Sequence, residues 1–116
     1  MIQRGAVFNV NFSPRRGHEQ EGVRPAIVIQ ADLYCPLSTL LLIPTSTHAR
    51  KEIDFHVPVT VQGIRTYALI EQLTAVDKAR RIKSENYLGR ISQREMEKID
   101  RILKVFVGLD PELALL

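Results

Sequence analysis

Between Ser13 and Pro25 the chain carries three arginines, one histidine and two glutamates, with glycines at 17 and 22 and prolines at 14 and 25. A guanidinium can hold two oxygens of an anion at once, and an imidazole gives or takes a proton near neutrality. Two further polar clusters stand far away in sequence, Thr45-Ser46-Thr47 and Glu71-Gln72. Together these residues can bind an anion and move protons, provided that the fold brings them to one place. The bland reading is a solvated loop with scattered charges and two turn-forming steps. The elements that carry these residues decide between the two.

Those elements are mostly short strands. Ala6 to Phe12 alternates, with Ala6, Phe8, Val10 and Phe12 on one face and Val7, Asn9 and Asn11 on the other. Pro25 to Gln30 is a continuous apolar run, the pattern of a strand covered on both faces, with Pro25 expected only at its very start because it donates no ladder bond. The polar stretch between them exceeds the usual hairpin loop of about two to five residues, and long loaded loops are more often functional. Thr39 to Thr45 reads as a third strand, so that Thr45-Ser46-Thr47 lies at its end. Ile53 to Val59 gives a fourth, with Pro58 suggesting an edge. Gln62-Gly63 marks a turn, Tyr67 to Glu71 a fifth strand ending in polar side chains, and Thr74 to Asp77 and Tyr87 to Ile91 short additions. The loop before Arg24, the Thr45 step and the Glu71-Gln72 step thus all fall at strand ends, which a barrel places on a shared rim.

The C-terminal segment changes period. Ser92-Gln-Arg-Glu95 is a capping box, Met96, Ile99, Ile102 or Leu103 and Phe106 recur at helical spacing as a core stripe, and Gly108 suits the residue that stops the helix. The expected fold is mainly β (β+α): a small, strongly bent barrel of five to seven strands with a C-terminal α-helix, in one domain over residues 1–116.

Composition narrows the function. With 45% hydrophobic and 25% charged residues the chain is ordinary for a globular protein. No apolar run approaches the length of a membrane span and the N-terminus lacks a signal-peptide pattern, so a cytoplasmic location is expected. The single cysteine, Cys35, excludes an internal disulfide and disfavours a thiolate metal site. His18, His48 and His56 lack ligand spacing, and no phosphate-binding glycine loop is present, so no metal or cofactor is expected. The net charge of +3 and pI near 9.3 point weakly to a polyanionic partner, with Arg15-Arg16, Arg50-Lys51 and Lys78 to Lys83 as the basic clusters.

Several of these features occur in one order: Arg4-Gly5 before the first strand, Pro14…Gly17-His18-Glu19-Gln20…Gly22-Val23-Arg24-Pro25 before the second, Pro44-Thr45-Ser46 after the third, then Glu71-Gln72 with Val76-Asp77. In this the chain resembles the MazF/PemK (Kid) family over nearly its whole length. The resemblance implies an SH3-like, CcdB/PemK-like barrel, usually a homodimer, that acts as the toxin of a type II toxin–antitoxin pair. It implies a metal-independent endoribonuclease that cuts single-stranded mRNA at short sequences, leaves a 2′,3′-cyclic phosphate and a 5′-hydroxyl, and is neutralised by a cognate antitoxin. By motif, Arg24 and Thr45 match the family's paired arginine and threonine or serine, and His18 matches a histidine of the Kid-like branch. Glu71 stands where that branch has an aspartate, and Leu69 or Ile70 where it has an arginine, so the acid–base assignment does not transfer whole.

Cyclising cleavage requires a deprotonated 2′-hydroxyl, a neutralised phosphorane and a protonated 5′-oxygen. Arg24 suits the phosphorane and not the proton, because its pKa exceeds about 12. Thr45 is expected as a hydrogen-bond donor to the phosphate, His18 as a proton carrier, and Glu71 as base or as the group that orients His18. Arg15, Arg16 and Lys51 are expected to steer RNA, with Glu19, Gln20, Ser46, Thr47 and Gln72 contacting it. Arg15 to Glu21 is expected to be mobile and to close over RNA, whereas Arg24 is fixed by Pro25. Two alternatives stand beside this reading: a non-enzymatic toxin of the same fold that binds a protein, as the gyrase-binding CcdB branch does, or a non-catalytic RNA-binding barrel. The first lacks its expected C-terminal Trp-Gly-Ile, since this chain ends Ala-Leu-Leu.

Overall fold

The computed structural model describes residues 2–13, 17, 22–49 and 53–111. Seven strands appear among them: β1 (Ala6–Asn11), β2 (Val23–Val28), β3 (Thr39–Ser46), β4 (His56–Val61), β5 (Ile64–Leu69), β6 (Thr74–Asp77) and β7 (Tyr87–Arg90). A single helical turn, α1 (Lys78–Arg81), follows β6, and α2 (Gln93–Phe106) closes the fold. The strands lie in the order β4-β5-β3-β2-β1-β7 and pair antiparallel. β3 divides one of its edges between two partners, with Thr39 to Leu42 against β6 and Thr45-Ser46 against β5. That division curls the sheet into a half-barrel about residues 43 and 44. Among the described residues no helix is long and apolar enough to cross a membrane.

The alternation of β1 sorts the core into two clusters. Val7 joins Ile27, Ile43, Val57 and Val59 under α2, whereas Phe8, Val10 and Phe12 join Ala26, Val28, Leu40 and Leu42 on the opposite face. β2 contributes to both, as its continuous apolar run requires. Met96, Ile99 and Ile102 are the buried stripe of α2. Phe106 departs from the expected core stripe: it is 47% exposed and touches only the rim, its ring centroid 5.6 Å from that of Phe55.

The ends of α2 are built as the sequence predicts. Glu95 N–H donates to Ser92 Oγ at 3.1 Å and Ser92 N–H donates to Glu95 Oε1 at 2.9 Å, satisfying two orphan donors. Gly108, at φ 82°, turns the chain so that its N–H reaches the Val105 carbonyl and that of Leu109 reaches Lys104. Arg4 then fastens the helix to the sheet. Its Nη1 donates to Asp100 at 2.9 Å, its Nη2 reaches the other carboxylate oxygen, and its Nε donates to the Ile29 carbonyl at 2.9 Å. The hydrogen bond to Asp100 holds the guanidinium above the usual arginine range.

Three strands, β2, β4 and β5, shift from expectation by two residues or more. β4 begins at His56, after a turn at residues 53–55, and sits at the end of the sheet as Pro58 suggested. β5 runs over Ile64–Leu69, leaving Glu71 in a 3₁₀ turn instead of a strand. Pro25 is the third residue of β2 and not its first. Hydrogen bonding explains why it is tolerated there. Phe12 N–H donates to the Gly22 carbonyl at 2.9 Å, so in the register Val10↔Arg24 and Asn9↔Pro25 the backbone of Pro25 faces away from β1, toward β3. The ladder to β3 begins only at Ala26↔Pro44. The missing donor of Pro25 therefore falls opposite Thr45, just beyond the last paired residues of β2 and β3.

Candidate active site

Where the ladder between β2 and β3 stops, side chains join the two strands. Arg24 Nη1 donates to the Thr45 carbonyl at 3.2 Å, and Thr45 Oγ1 donates to the Pro25 carbonyl at 2.9 Å. Thr45 is 1% exposed, and Pro25 opposite it has no N–H to give its carbonyl, so the Arg24 guanidinium takes the place of that donor. Pro25 on β2 removes one donor from the ladder here. The opening between the strands is thus encoded in the sequence, and Arg24 is held at it.

A cleft of about 440 Å³ lies at this opening. Arg24, Thr45, Ser46, Thr47 and His48 form one wall, and Val61, Gln62, Ile64 and Thr66 of the β4–β5 hairpin form another. Gln62 and Gly63 both take positive φ, 51° and 80°, in the two-residue turn that brings this hairpin round. Asn9 from β1 and Leu88 from β7 contribute at the side. The cleft combines apolar surface with hydroxyl and amide groups, and its ionisable side chains among the described residues are Arg24 and His48. His48 is exposed, and its N–H donates to Ser46 Oγ at 3.2 Å, which fixes the chain as it leaves β3.

The loop before Arg24 is tied at both feet. Gly22 N–H donates to Ser13 Oγ at 3.0 Å, and Arg81 Nη1 donates to the carbonyls of Asn11 at 3.0 Å and Ser13 at 2.8 Å. Arg15, Arg16, His18, Glu19 and Gln20, and likewise Lys51, lie outside the described residues, as does the expected closing motion of the loop.

Of the three polar steps expected on one rim, the structure brings two together. Arg24 meets Thr45, Ser46 and Thr47, but Glu71 and Gln72 are not among the cleft residues. Glu71 Oε2 instead pairs with His56 Nε2 at 2.8 Å, and the His56 side chain is only 8% exposed. This follows from β5 ending at Leu69: the 3₁₀ turn carries Glu71 to the start of β4, across from the cleft-forming end of the hairpin. Several cleft residues carry no signal of their own in the sequence, among them His48, Asn9 and Thr66. His48 continues the Thr45-Ser46-Thr47 step, but without ligand spacing to another histidine it stands out by nothing else. Asn9 reads as a solvent-facing residue of β1 until the hairpin is folded over it. Cys35 is buried at 6% exposure and away from the cleft, and burial pushes its thiol above the usual range.

The family model for PemK-like, MazF-like toxins of type II toxin–antitoxin systems matches residues 3–107. The chain belongs to this family. Among its PemK/MazF relatives, an endoribonuclease MazF of Staphylococcus epidermidis is 31% identical over 116 residues, covering 95% of this chain and 94% of that protein. The crystal structure of MazF from Deinococcus radiodurans superposes with a TM-score of 0.78 at 23% identity, covering 92% and 96% of the two chains. A mycobacterial endoribonuclease in complex with its cognate antitoxin superposes at 0.77 with 18% identity, covering 95% and 98%. The curled half-barrel with a terminal helix is therefore the MazF fold.

Proposed function

We propose that this chain is a sequence-specific endoribonuclease toxin that cleaves single-stranded mRNA without a metal ion, leaving a 2′,3′-cyclic phosphate and a 5′-hydroxyl. The observation that carries this reading is a fixed guanidinium, that of Arg24, at the mouth of a cleft in a chain of the MazF-like family. The endoribonuclease named among its relatives supports the reaction class, and the neighbour solved with its antitoxin supports a protein inhibitor of the same kind. The toxin works as a homodimer in the cytoplasm.

Arg24 neutralises the charge that builds on the phosphorane. Held by the Thr45 carbonyl, it stands at the cleft before the substrate arrives. Thr45 has one hydroxyl proton, and in the free protein it is given to Pro25. Its first task is then to hold the strands at the right separation; donation to the phosphate requires that bond to be exchanged. Ser46 and Thr47 line the path of the backbone. His18 enters from the loop side together with Arg15, Arg16, Glu19 and Gln20, and Lys51 and Gln72 add contacts beyond the cleft. Glu71, occupied by His56, takes no part in the chemistry we propose.

A long unstructured RNA incubated with the protein in EDTA and read by primer extension tests this. The expected outcome is discrete cuts at one short motif. Arg24→Ala should lower the rate by about a hundredfold or more, as for the loss of one oxyanion stabiliser, while the fold is kept. Uncut RNA, or equal cutting by the variant, contradicts the assignment.

A further inference from the structure

We infer that His48 is the general base of the cleavage reaction. The inference rests on the endoribonuclease reading and adds to it the group that removes the proton from the ribose. Cyclisation joins O2′ to phosphorus and breaks the P–O5′ bond, so one proton must leave the 2′-hydroxyl and one must reach O5′. The cleft is well supplied with hydrogen-bond donors, from Arg24 and the hydroxyls of Thr47 and Thr66. Among its described residues, a proton acceptor is scarcer. Arg24 cannot serve, because a guanidinium does not give up its proton in a protein. Thr45 has committed its hydroxyl to Pro25, and Glu71 is paired with His56 outside the cleft.

His48 fills this place. Among the described residues it is the one side chain of the cleft that can accept a proton near neutrality. It is exposed, so a substrate hydroxyl can reach it. Its backbone is held at the cleft: the main-chain N–H of His48 donates to Ser46 Oγ at 3.2 Å, three residues beyond the threonine that pins β2 to β3. The step balances as follows. The neutral imidazole takes the 2′-hydroxyl proton while O2′ bonds to phosphorus. Arg24 holds the non-bridging oxygens. The P–O5′ bond breaks, and O5′ takes a proton from water at the open mouth of the cleft.

The test is the pH dependence of cleavage by wild-type protein, His48→Asn and His18→Asn on a short RNA containing the cut motif, measured from about pH 5 to about pH 9, where imidazoles titrate. In wild type, kcat/KM should rise with pH through the imidazole range. His48→Asn should lose that rise and run about a hundredfold or more slower, the usual scale for a lost general base. Because His48 is exposed, its removal should leave the melting temperature unchanged. Rates within a factor of about three of wild type, with the rise retained, overturn the inference. So does a rise that disappears in His18→Asn and persists in His48→Asn. A substrate with sulfur in place of O5′ tests the direction of transfer, since a thiolate leaves without a proton. The deficit of His48→Asn should persist on it, and restored cutting would make His48 the acid and overturn its role as base. Failure of wild-type protein to cut any RNA, or full cutting by Arg24→Ala, would instead sink the underlying reading.

Discussion

The Thr45 hydroxyl has one proton, and the structure gives it to the Pro25 carbonyl across the opening between β2 and β3. Thr45→Val should therefore cost about 1 kcal/mol of stability, the usual net worth of such a bond, and should reduce cleavage by letting β2 drift from β3. Thr45→Ser keeps the hydroxyl and should preserve both. Thermal melting alongside the cleavage assay checks this, and a Thr45→Val protein as stable and active as wild type would remove Thr45 from the site. Cys35 gives a second residue-scale expectation. Burial raises its thiol, so the folded protein holds that proton more tightly than the unfolded chain does. The associated stability is complete below the ordinary thiol range and is lost as pH rises through the raised value. The native thiol should resist iodoacetamide at neutral pH and react promptly in denaturant. At this scale Arg24 was legible because Pro25 fixes it at a strand. His48 was not, because its meaning depends on a hairpin some fifteen residues later that folds over it to make a wall.

At the scale of elements, α2 was the most legible part of the chain. Its capping box, buried stripe and terminal glycine are local signals, each satisfied by residues within one or two turns. Ser92→Ala should cost about 1 kcal/mol, readable as a lower denaturation midpoint. The strand boundaries were harder. Pro25 reads as a strand start by its own chemistry, and its place inside β2 follows only from the register of β1 and β3 on either side. Likewise Glu71 reads as the end of a strand, and only the pairing of β5 with β4 shows that the chain has already turned toward His56. The Arg4 strap joins residues far apart in sequence, and no spacing foretells it. Arg4→Ala removes a paired charge and the bond to Ile29, and should destabilise the fold by about 1–2 kcal/mol. Because the strap lies under α2 and outside the cleft, the intact fraction of such a variant should still cut RNA.

At the scale of the molecule, function follows from a sheet that curls because β3 serves two partners on one edge. The curl turns the β4–β5 hairpin toward Arg24 and makes a cleft where Pro25 removes a donor from the β2–β3 ladder. The same curl leaves α2 to cover the inner core and keeps its basic outer face away from the cleft. The central claim is that Arg24 at this opening makes a MazF-like chain an endoribonuclease. Its most direct measurement is primer extension on a long unstructured RNA incubated in EDTA with wild-type protein and with Arg24→Ala. The account predicts discrete stops at one short motif for wild type and their loss, by about a hundredfold or more in rate, for a variant that melts like wild type. Stops of equal strength from the two proteins, or none from wild type, would contradict it.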